Sequence, residues 1–247
     1  MAIVVTSKGT NTASGSLTVT ISGLTVIAGS TLIACCGAFV YDRVSCVYND
    51  GADDYPMTLR CDEGGGNYHS YIYSLDNVAA ASGSGTVTFT VDNAGQNCQI
   101  TLYQATGLDS AGSFDKSASA VDRDTSFDSG NTATLSQADE LIVGTVYYAD
   151  ETATVDSWDG TVTDNIQTDN DADQAAIASA VKIVSSTAAC NCAGTLSAKE
   201  YYGAAVATFK AASAPSGWTG KILGVDSANI AKICGVAIAD IARVGGV

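Results

Sequence analysis

Polar and apolar residues alternate with a period of two over several parts of the chain, and this pattern restricts the fold more than any other feature. The clearest cases are residues 16–22 (SLTVTIS) and 86–91 (TVTFTV). Successive side chains of a β-strand point to opposite faces of a sheet, so the alternation indicates strands with one buried face. Longer apolar runs, typical of strands in the core of a β-sandwich, cover residues 31–40, 141–148 and 203–209.

Composition and turn signals agree with this interpretation. The chain has 25 Gly and only 2 Pro, and 15% of its residues are charged, which is typical of many short strands and tight turns. Clusters of Gly, Asn, Asp and Ser separate the strands at residues 49–51, 63–67, 82–85 and 92–97. Only residues 174–184 are ambiguous between helix and strand. We therefore predict an all-β protein, an antiparallel and jelly-roll-like β-sandwich.

The apolar-rich segment of residues 24–40 is not predicted to cross a membrane. Gly29, Ser30 and Gly37 interrupt it, and no run of about 20 apolar residues remains. We interpret the segment as two strands joined by a turn at residues 28–30.

A weaker pattern indicates an internal duplication. Leu32 and Leu141 occupy matching positions 109 residues apart, and Gly85 and Gly194 have the same spacing. Two copies of a five- or six-strand unit, each with one apolar face, would pack as one sandwich. We therefore predict one domain over residues 1–212, with pseudo-repeats at about residues 15–105 and 130–211.

An 11-residue repeat closes the chain. Lys221, Lys232 and Arg243 recur with this spacing, and each precedes Ile or Val and then a Gly-Val pair. A unit repeated at a fixed period rarely buries its apolar face alone. We predict that residues 213–247 form an assembly tail of short strands that turn at each Gly-Val and join copies of the chain, with a trimer as the expected state. The residues predicted to carry these contacts are Trp218, Ile222, Val225, Ile233, Val236, Val244 and Val247.

Charge separates this tail from the rest of the chain. The formal net charge is −15, of which the residues before Ser216 carry −16 and the remainder +1. An acidic body repels nucleic acid, so neither DNA nor RNA is expected as a partner.

The segments QADELIVG (residues 137–144) and AAVATFKA (residues 204–211) resemble a widespread β-sandwich module of bacterial surface proteins and of phage-encoded structural and fibre proteins. The resemblance covers about residues 3–212. The Gly-Val tail is similar to C-terminal tails of phage virion proteins. Both resemblances imply an exposed, structural setting on a virion surface, with other virion proteins as partners, and neither implies a catalytic site.

Eight cysteines are many for a chain of this length. They are either buried thiols that act as small apolar side chains, or they form disulfides outside a reducing cytoplasm. Cys35 and Cys36 are adjacent, so in a strand they must face opposite sides. If the protein matures outside such a cytoplasm, we expect at least one bridge among Cys35, Cys36, Cys46, Cys61, Cys98, Cys190 and Cys192.

Acidic residues offer the best metal candidates. Asp169, Asp171 and Asp173 have the alternating oxygens of a calcium loop, but Gln174 and Ala180 stand where an EF-hand has Gly and Glu. The choice is between a looser structural Ca²⁺ site and a solvated acidic loop; no other cofactor is expected. A second oxygen-rich loop is predicted at Asp122, Asp124 and Asp128.

The residues that nucleophilic catalysis requires are scarce. His69 is the only histidine, it alternates with Tyr71 and Tyr73, and neither a G-x-S-x-G elbow nor a Gly-rich phosphate loop occurs. A non-enzymatic protein is therefore predicted. A glycan hydrolase with two acids from loops is the enzymatic alternative.

Aromatic residues leave a binding function open. Most are expected in the core or between subunits, but together they could line a sugar-binding surface. The candidates are Tyr48, Tyr55, Tyr68, Tyr71, Tyr73, Tyr147, Tyr148 and Trp158.

These observations predict a phage virion structural protein, a head decoration or a head or tail fibre-type surface protein, that self-associates through its tail. The alternatives are a carbohydrate-binding adhesive module and a subunit of an extracellular filament at a cell surface.

Overall fold

The structure is a computed structural model of the chain. It describes residues 2–39, 44–62, 67–92, 97–149, 152–160, 164–168 and 175–213, together with the backbone of residues 221–222, 225–226, 232–233 and 236–237. Contacts between residues divide the chain into a body, residues 2–211, and a second unit formed by residues 212–247 with Met1.

The described residues of the body form strands and no helix. The strands are β1 (Val4–Ala13), β2 (Thr18–Val26), β3 (Thr31–Ala38), β4 (Val44–Asn49), β5 (Asp54–Pro56), β6 (Thr58–Asp62), β7 (His69–Leu75), β8 (Ala81–Val91), β9 (Cys98–Thr106), β10 (Phe114–Asp128), β11 (Glu140–Ala149), β12 (Val155–Gly160), β13 (Asp164–Thr168), β14 (Ala175–Val184) and β15 (Cys192–Lys210).

The first half of the body is a jelly roll of two antiparallel sheets. One sheet has the strand order β1-β9-β3-β7-β6, and the other has the order β2-β8-β4-β5. With β6 counted as an added edge strand, this is the arrangement of an eight-stranded jelly roll. The predicted all-β, jelly-roll-like sandwich is confirmed.

The second half repeats this arrangement. Its main strand order, β10-β15-β11-β14-β13, matches β1-β9-β3-β7-β6 position by position. Strand β15 is 19 residues long, and its two parts correspond to two strands of the first half. The first residues of β15 correspond to β8 and pair with β12, and the last residues correspond to β9 and pair with β11. The predicted duplication is confirmed in strand order, and it also includes β1 and β10, which lie outside the predicted limits.

The central strands of the two large sheets are buried on both faces. On β3, Leu32, Ala34 and Cys36 face the core inside the first jelly roll, whereas Ile33 and Cys35 face the second half. Strand β11 is buried at every residue and divides its side chains in the same way. Each half therefore has its own core, and a third core joins the halves. The expectation that each repeat has only one apolar face is wrong, because the central strands have two apolar faces.

Polar side chains fix the position of the halves within the third core. Gln99 Nε2 donates to Ala175 O at 2.7 Å, the Tyr103 hydroxyl lies 2.8 Å from Ser179 Oγ, and Ser70 Oγ donates to Gly203 O at 2.7 Å. All three bonds are buried, and breaking one would leave an unpaired buried polar group. The halves are thereby held in one defined arrangement.

The apolar-rich segment of residues 24–40 contains the end of β2 and the whole of β3. Between them Gly29 has φ of 75°, and Ser30 N donates to Ile27 O at 3.3 Å, which confirms the predicted turn. Among the residues that the structure describes, no helix is long and apolar enough to cross a membrane.

The second unit contains two strand pairs at the predicted period. Strand β16 (Lys221–Ile222) pairs with β17 (Val225–Asp226), and β18 (Lys232–Ile233) pairs with β19 (Val236–Ala237), 11 residues further on. The short strands expected from the repeat are therefore present. The repeat predicted a turn at each Gly-Val. Instead, Val225 and Val236 are the first residues of β17 and β19, and they pair with Ile222 and Ile233.

Candidate binding and assembly sites

Most tyrosines that were candidates for a sugar-binding surface are in the core. Tyr48, Tyr147 and Tyr148 are fully buried, and Tyr71 and Tyr73 nearly so. Burial of both faces of the central strands explains this, since rings from either side of a strand then find apolar neighbours. The expectation that most of these rings are core residues is confirmed.

Tyr68 is different, because it helps to form an open cleft where the two jelly rolls meet. The cleft has a volume of about 390 Å³ and is lined by Phe39, Asn67, Tyr68, Val121 and Tyr201. The first three residues belong to the first half and the last two to the second. Ligand sites of comparable volume are commonly found where domains meet.

The rings of the cleft are arranged in contact with one another. Phe39 meets Tyr68 edge-on at 5.0 Å between ring centroids, and Tyr68 lies parallel to Tyr201 at 6.2 Å with 6° between the planes. The guanidinium of Arg123 lies 4.8 Å from the centre of the Tyr201 ring. On the buried side, Tyr147 contacts Tyr68 at 6.0 Å. The rings of the cleft thus contact the core through Tyr147 and the positively charged guanidinium of Arg123 through Tyr201.

Strand pairing explains how these residues come together. Val121 lies opposite Gly203 and Arg123 opposite Tyr201 in the antiparallel pair of β10 with β15, so their side chains share one face. A Cβ atom at position 203 would lie 2.2 Å from the backbone oxygen of Tyr68. Only glycine therefore allows the Tyr68 segment to approach β15 this closely.

The Tyr68 hydroxyl stays protonated at neutral pH. Burial raises the pKa of Tyr68, and the nearby Glu200 and Tyr201 raise it further. The group can therefore both donate and accept a hydrogen bond at the cleft.

Sequence analysis did not select Tyr201. It is 50% exposed, while its neighbour Tyr202 is buried. The available signal was the adjacent Tyr-Tyr pair, because in a strand the two rings face opposite sides of the sheet.

A second site that the sequence analysis missed is a pair of carboxyl groups, Glu140 and Asp115. Glu140, at the start of β11, is completely buried, and its carboxyl group contacts Asp115 and Thr208. Burial raises the pKa of Glu140 to about 7, and the negative charge of Asp115 acts in the same direction.

Asp115 keeps its negative charge. Burial alone would raise its pKa, but hydrogen bonds to the carboxylate lower the pKa to about 2. Ser136 N donates at 2.7 Å, the Ser136 hydroxyl also donates, and Lys116 Nζ lies 3.1 Å away. Glu140 therefore stays protonated beside the negatively charged carboxylate of Asp115. Its complete burial prevents it from protonating a substrate. The pair can store a proton and fasten β10 to β11.

His69 is buried on β7. Its ring stacks on Tyr71 at 5.7 Å and 9°, and Nδ1 lies 3.6 Å from the Asp62 carboxylate. The prediction that His69 shares a face with Tyr71 is confirmed.

The seven described cysteines, from Cys35 to Cys192, are free and buried, so the predicted disulfide is not present. Cys35 and Cys36 face different cores, as predicted. Other thiols are engaged locally: Cys61 Sγ donates to Ala118 O at 3.3 Å, and Cys46 Sγ to Met57 Sδ at 3.5 Å. The thiols serve as small apolar side chains, the first of the two alternatives.

We expect these thiols to be unreactive in the native protein. Burial raises the pKa of Cys98 to about 11 from 9.0. Two pKa units lower the thiolate fraction at neutral pH about 100-fold. An aromatic disulfide reagent should thus modify Cys98 in the native protein about 100-fold more slowly than in the denatured chain. A bridge seen by mass spectrometry of unreduced protein would contradict this structure of the core.

The predicted calcium ligands Asp169, Asp171 and Asp173 lie outside the described residues. The second predicted acidic loop is wrong, because Asp122, Asp124 and Asp128 belong to the extended strand β10. Asp122 and Asp124 each accept a hydrogen bond from the next backbone N–H. Within the described parts of the chain, no group of three or more His, Cys, Asp or Glu could hold a metal ion.

The predicted assembly residues divide between described and undescribed positions. Ile222, Val225, Ile233 and Val236 are the residues that pair within the two tail hairpins, Ile222 with Val225 and Ile233 with Val236. Trp218, Val244 and Val247 lie outside the described residues.

Comparisons with family models, with curated proteins and with solved structures found no match.

Proposed function

We propose that this chain is a non-enzymatic structural protein of a bacteriophage particle, a head decoration or fibre-type surface protein, whose C-terminal repeats join it to copies of itself. The observation that carries the proposal is the pair of hairpins at an 11-residue period, each with only two residues per strand. Hairpins this short are not stable alone in water. They need further strands or side chains to cover them, and identical tails would supply both.

The body supports the same function in three ways. It has three cores of its own, so the tail is not needed to complete it. It also carries nearly all of the negative charge, which keeps crowded copies apart unless a near-neutral element such as the tail joins them. Jelly rolls also occur in viral capsid proteins, so the body suits a particle surface.

Truncation tests the role of the tail. A chain that ends at Ala214 should keep the melting temperature of the body and remain a monomer, whereas the full chain should form oligomers of defined mass. The matched control is a chain of full length in which residues 221–247 are shuffled, so that composition and charge stay and the period is lost.

The shuffled chain should be monomeric like the truncated one. Oligomers of unchanged mass in either variant would show that the repeats do not join subunits. Long fibres of the full chain in electron micrographs would favour the extracellular filament over the virion protein.

A further inference from the structure

Two of the large apolar side chains that the body exposes lie in the cleft between the jelly rolls. Tyr201 is 50% and Val121 is 37% exposed, and they lie on adjacent strands of one sheet face. Apolar groups that cluster in a concavity, rather than scatter singly, mark binding sites.

The chemistry of the cleft lining suits a sugar. A pyranose ring has an apolar C–H face and a rim of hydroxyl groups, so it needs a flat apolar surface beside hydrogen-bonding groups. Tyr68 and Tyr201 stack on each other, and the exposed part of the Tyr201 ring and the Val121 side chain provide the apolar surface on one sheet face. The Asn67 amide and the protonated Tyr68 hydroxyl provide donors and acceptors. The volume of about 390 Å³ suits one or two sugar units and not a protein segment.

Charges near the cleft select among sugars. Glu200 lies close enough to Tyr68 to raise its pKa, whereas Asp122 and Asp124 alternate with Arg123 along β10 and face the side of Tyr202. Arg123 is itself engaged with the Tyr201 ring. The surroundings are therefore acidic on a strongly acidic body, which disfavours anionic sugars such as sialic acid.

We propose that the cleft formed by Phe39, Asn67, Tyr68, Val121 and Tyr201 binds a neutral pyranose unit of a glycan, with the apolar face of the sugar against the exposed part of Tyr201 and Val121. All five lining residues belong to the body, so the proposal does not rest on the proposed assembly function.

The test is a glycan array that carries neutral and sialylated oligosaccharides, followed by calorimetric titration with the methyl glycoside of the sugar unit that the bound glycans share. Tyr201→Ala should weaken binding at least about 10-fold, the loss of one stacking ring. Ile183→Ala is the matched control, since Ile183 is also 50% exposed but lies on β14 outside the cleft lining. Both variants should keep the melting temperature of the parent protein within a few degrees.

Neutral glycans bound by the parent and by Ile183→Ala, and lost in Tyr201→Ala, would support the site. Binding of sialylated glycans alone, or binding that Tyr201→Ala leaves intact, would overturn it. An array without any bound neutral glycan would overturn it as well. If Tyr201→Ala changed only the mass of the assembled protein, the cleft would be a protein contact and the proposal would be wrong.

Discussion

Replacing Tyr147 with alanine should lower the free energy of unfolding of the body by about 3–5 kcal/mol, as for other large buried rings. Tyr147 is fully buried on β11, within the core that joins the two jelly rolls. Its ring fills the space beside Gly37, where a Cβ atom would lie 2.3 Å away, and its hydroxyl donates to Asn97 O at 3.3 Å. Chemical denaturation followed by tyrosine and tryptophan fluorescence measures the change.

Two control variants separate the causes. Tyr147→Phe keeps the ring and loses one hydrogen bond, so it should cost only about 1 kcal/mol. Ile183→Ala, at a half-exposed position, should cost less than about 1 kcal/mol. Because the ring belongs to the shared core, both halves should unfold in one transition at lower denaturant concentration. Two separate unfolding transitions, of which only one shifts to a lower denaturant concentration, would mean that the halves unfold independently.

Stability should fall as pH rises from about 4.5 to about 7, because of Glu140. The folded protein holds the Glu140 proton up to a pKa of about 7, whereas the unfolded chain releases it at the ordinary glutamate pKa of 4.5. The folded state binds more protons between these values, so raising the pH favours unfolding, by about 3 kcal/mol in total. Above pH 7 this contribution stays constant.

Asp115 acts at lower pH with the opposite sign. Its folded pKa of about 2 lies below the ordinary aspartate pKa of 3.8, so the stability that it contributes is present above pH 4 and is lost as the pH falls through 2. The two groups together should place the maximum of stability near pH 4–5.

Glu140→Gln isolates the first effect. The amide cannot ionise but can still donate a hydrogen bond to Asp115, so the variant should match the parent at pH 5 and exceed it by about 2–3 kcal/mol at pH 8. Asp92→Asn, a change at an exposed carboxylate, is the control and should follow the pH profile of the parent. If the free energy of unfolding changed with pH by the same amount in Glu140→Gln and in the parent, Glu140 would be ionised in the folded protein.

The sequence predicted strands and their faces well where alternation is local. The opposite directions of Cys35 and Cys36 follow from the pleat alone, and the turn at residues 28–30 follows from Gly29 and Ser30. The duplication was also visible, since Leu32 and Leu141 occupy matching positions on β3 and β11. What alternation cannot show is whether the second face of an apolar run meets another sheet, and this is why the second apolar face of the central strands was not predicted.

Tyr68 was among the sugar-binding candidates, but the rest of the cleft and the Glu140–Asp115 pair were missed for a related reason. The cleft joins Phe39 and Tyr68 to Tyr201, residues far apart in sequence that only the packing of two sheets brings together. Glu140 stood inside a segment that resembled a known module, yet its unusual proton affinity arises from burial against Asp115 on another strand. Long-range pairing of this kind leaves no periodic signal in a single sequence.

The mass of the full-length chain in solution, measured by light scattering over a range of concentrations, tests the central claim most directly. If the repeats join copies of the chain, the mass should be a whole multiple of 25.0 kDa, with a three-fold multiple expected. Deletion of residues 221–231, one full repeat, should weaken that association. A mass of 25.0 kDa at every concentration would contradict the assembly role of the tail.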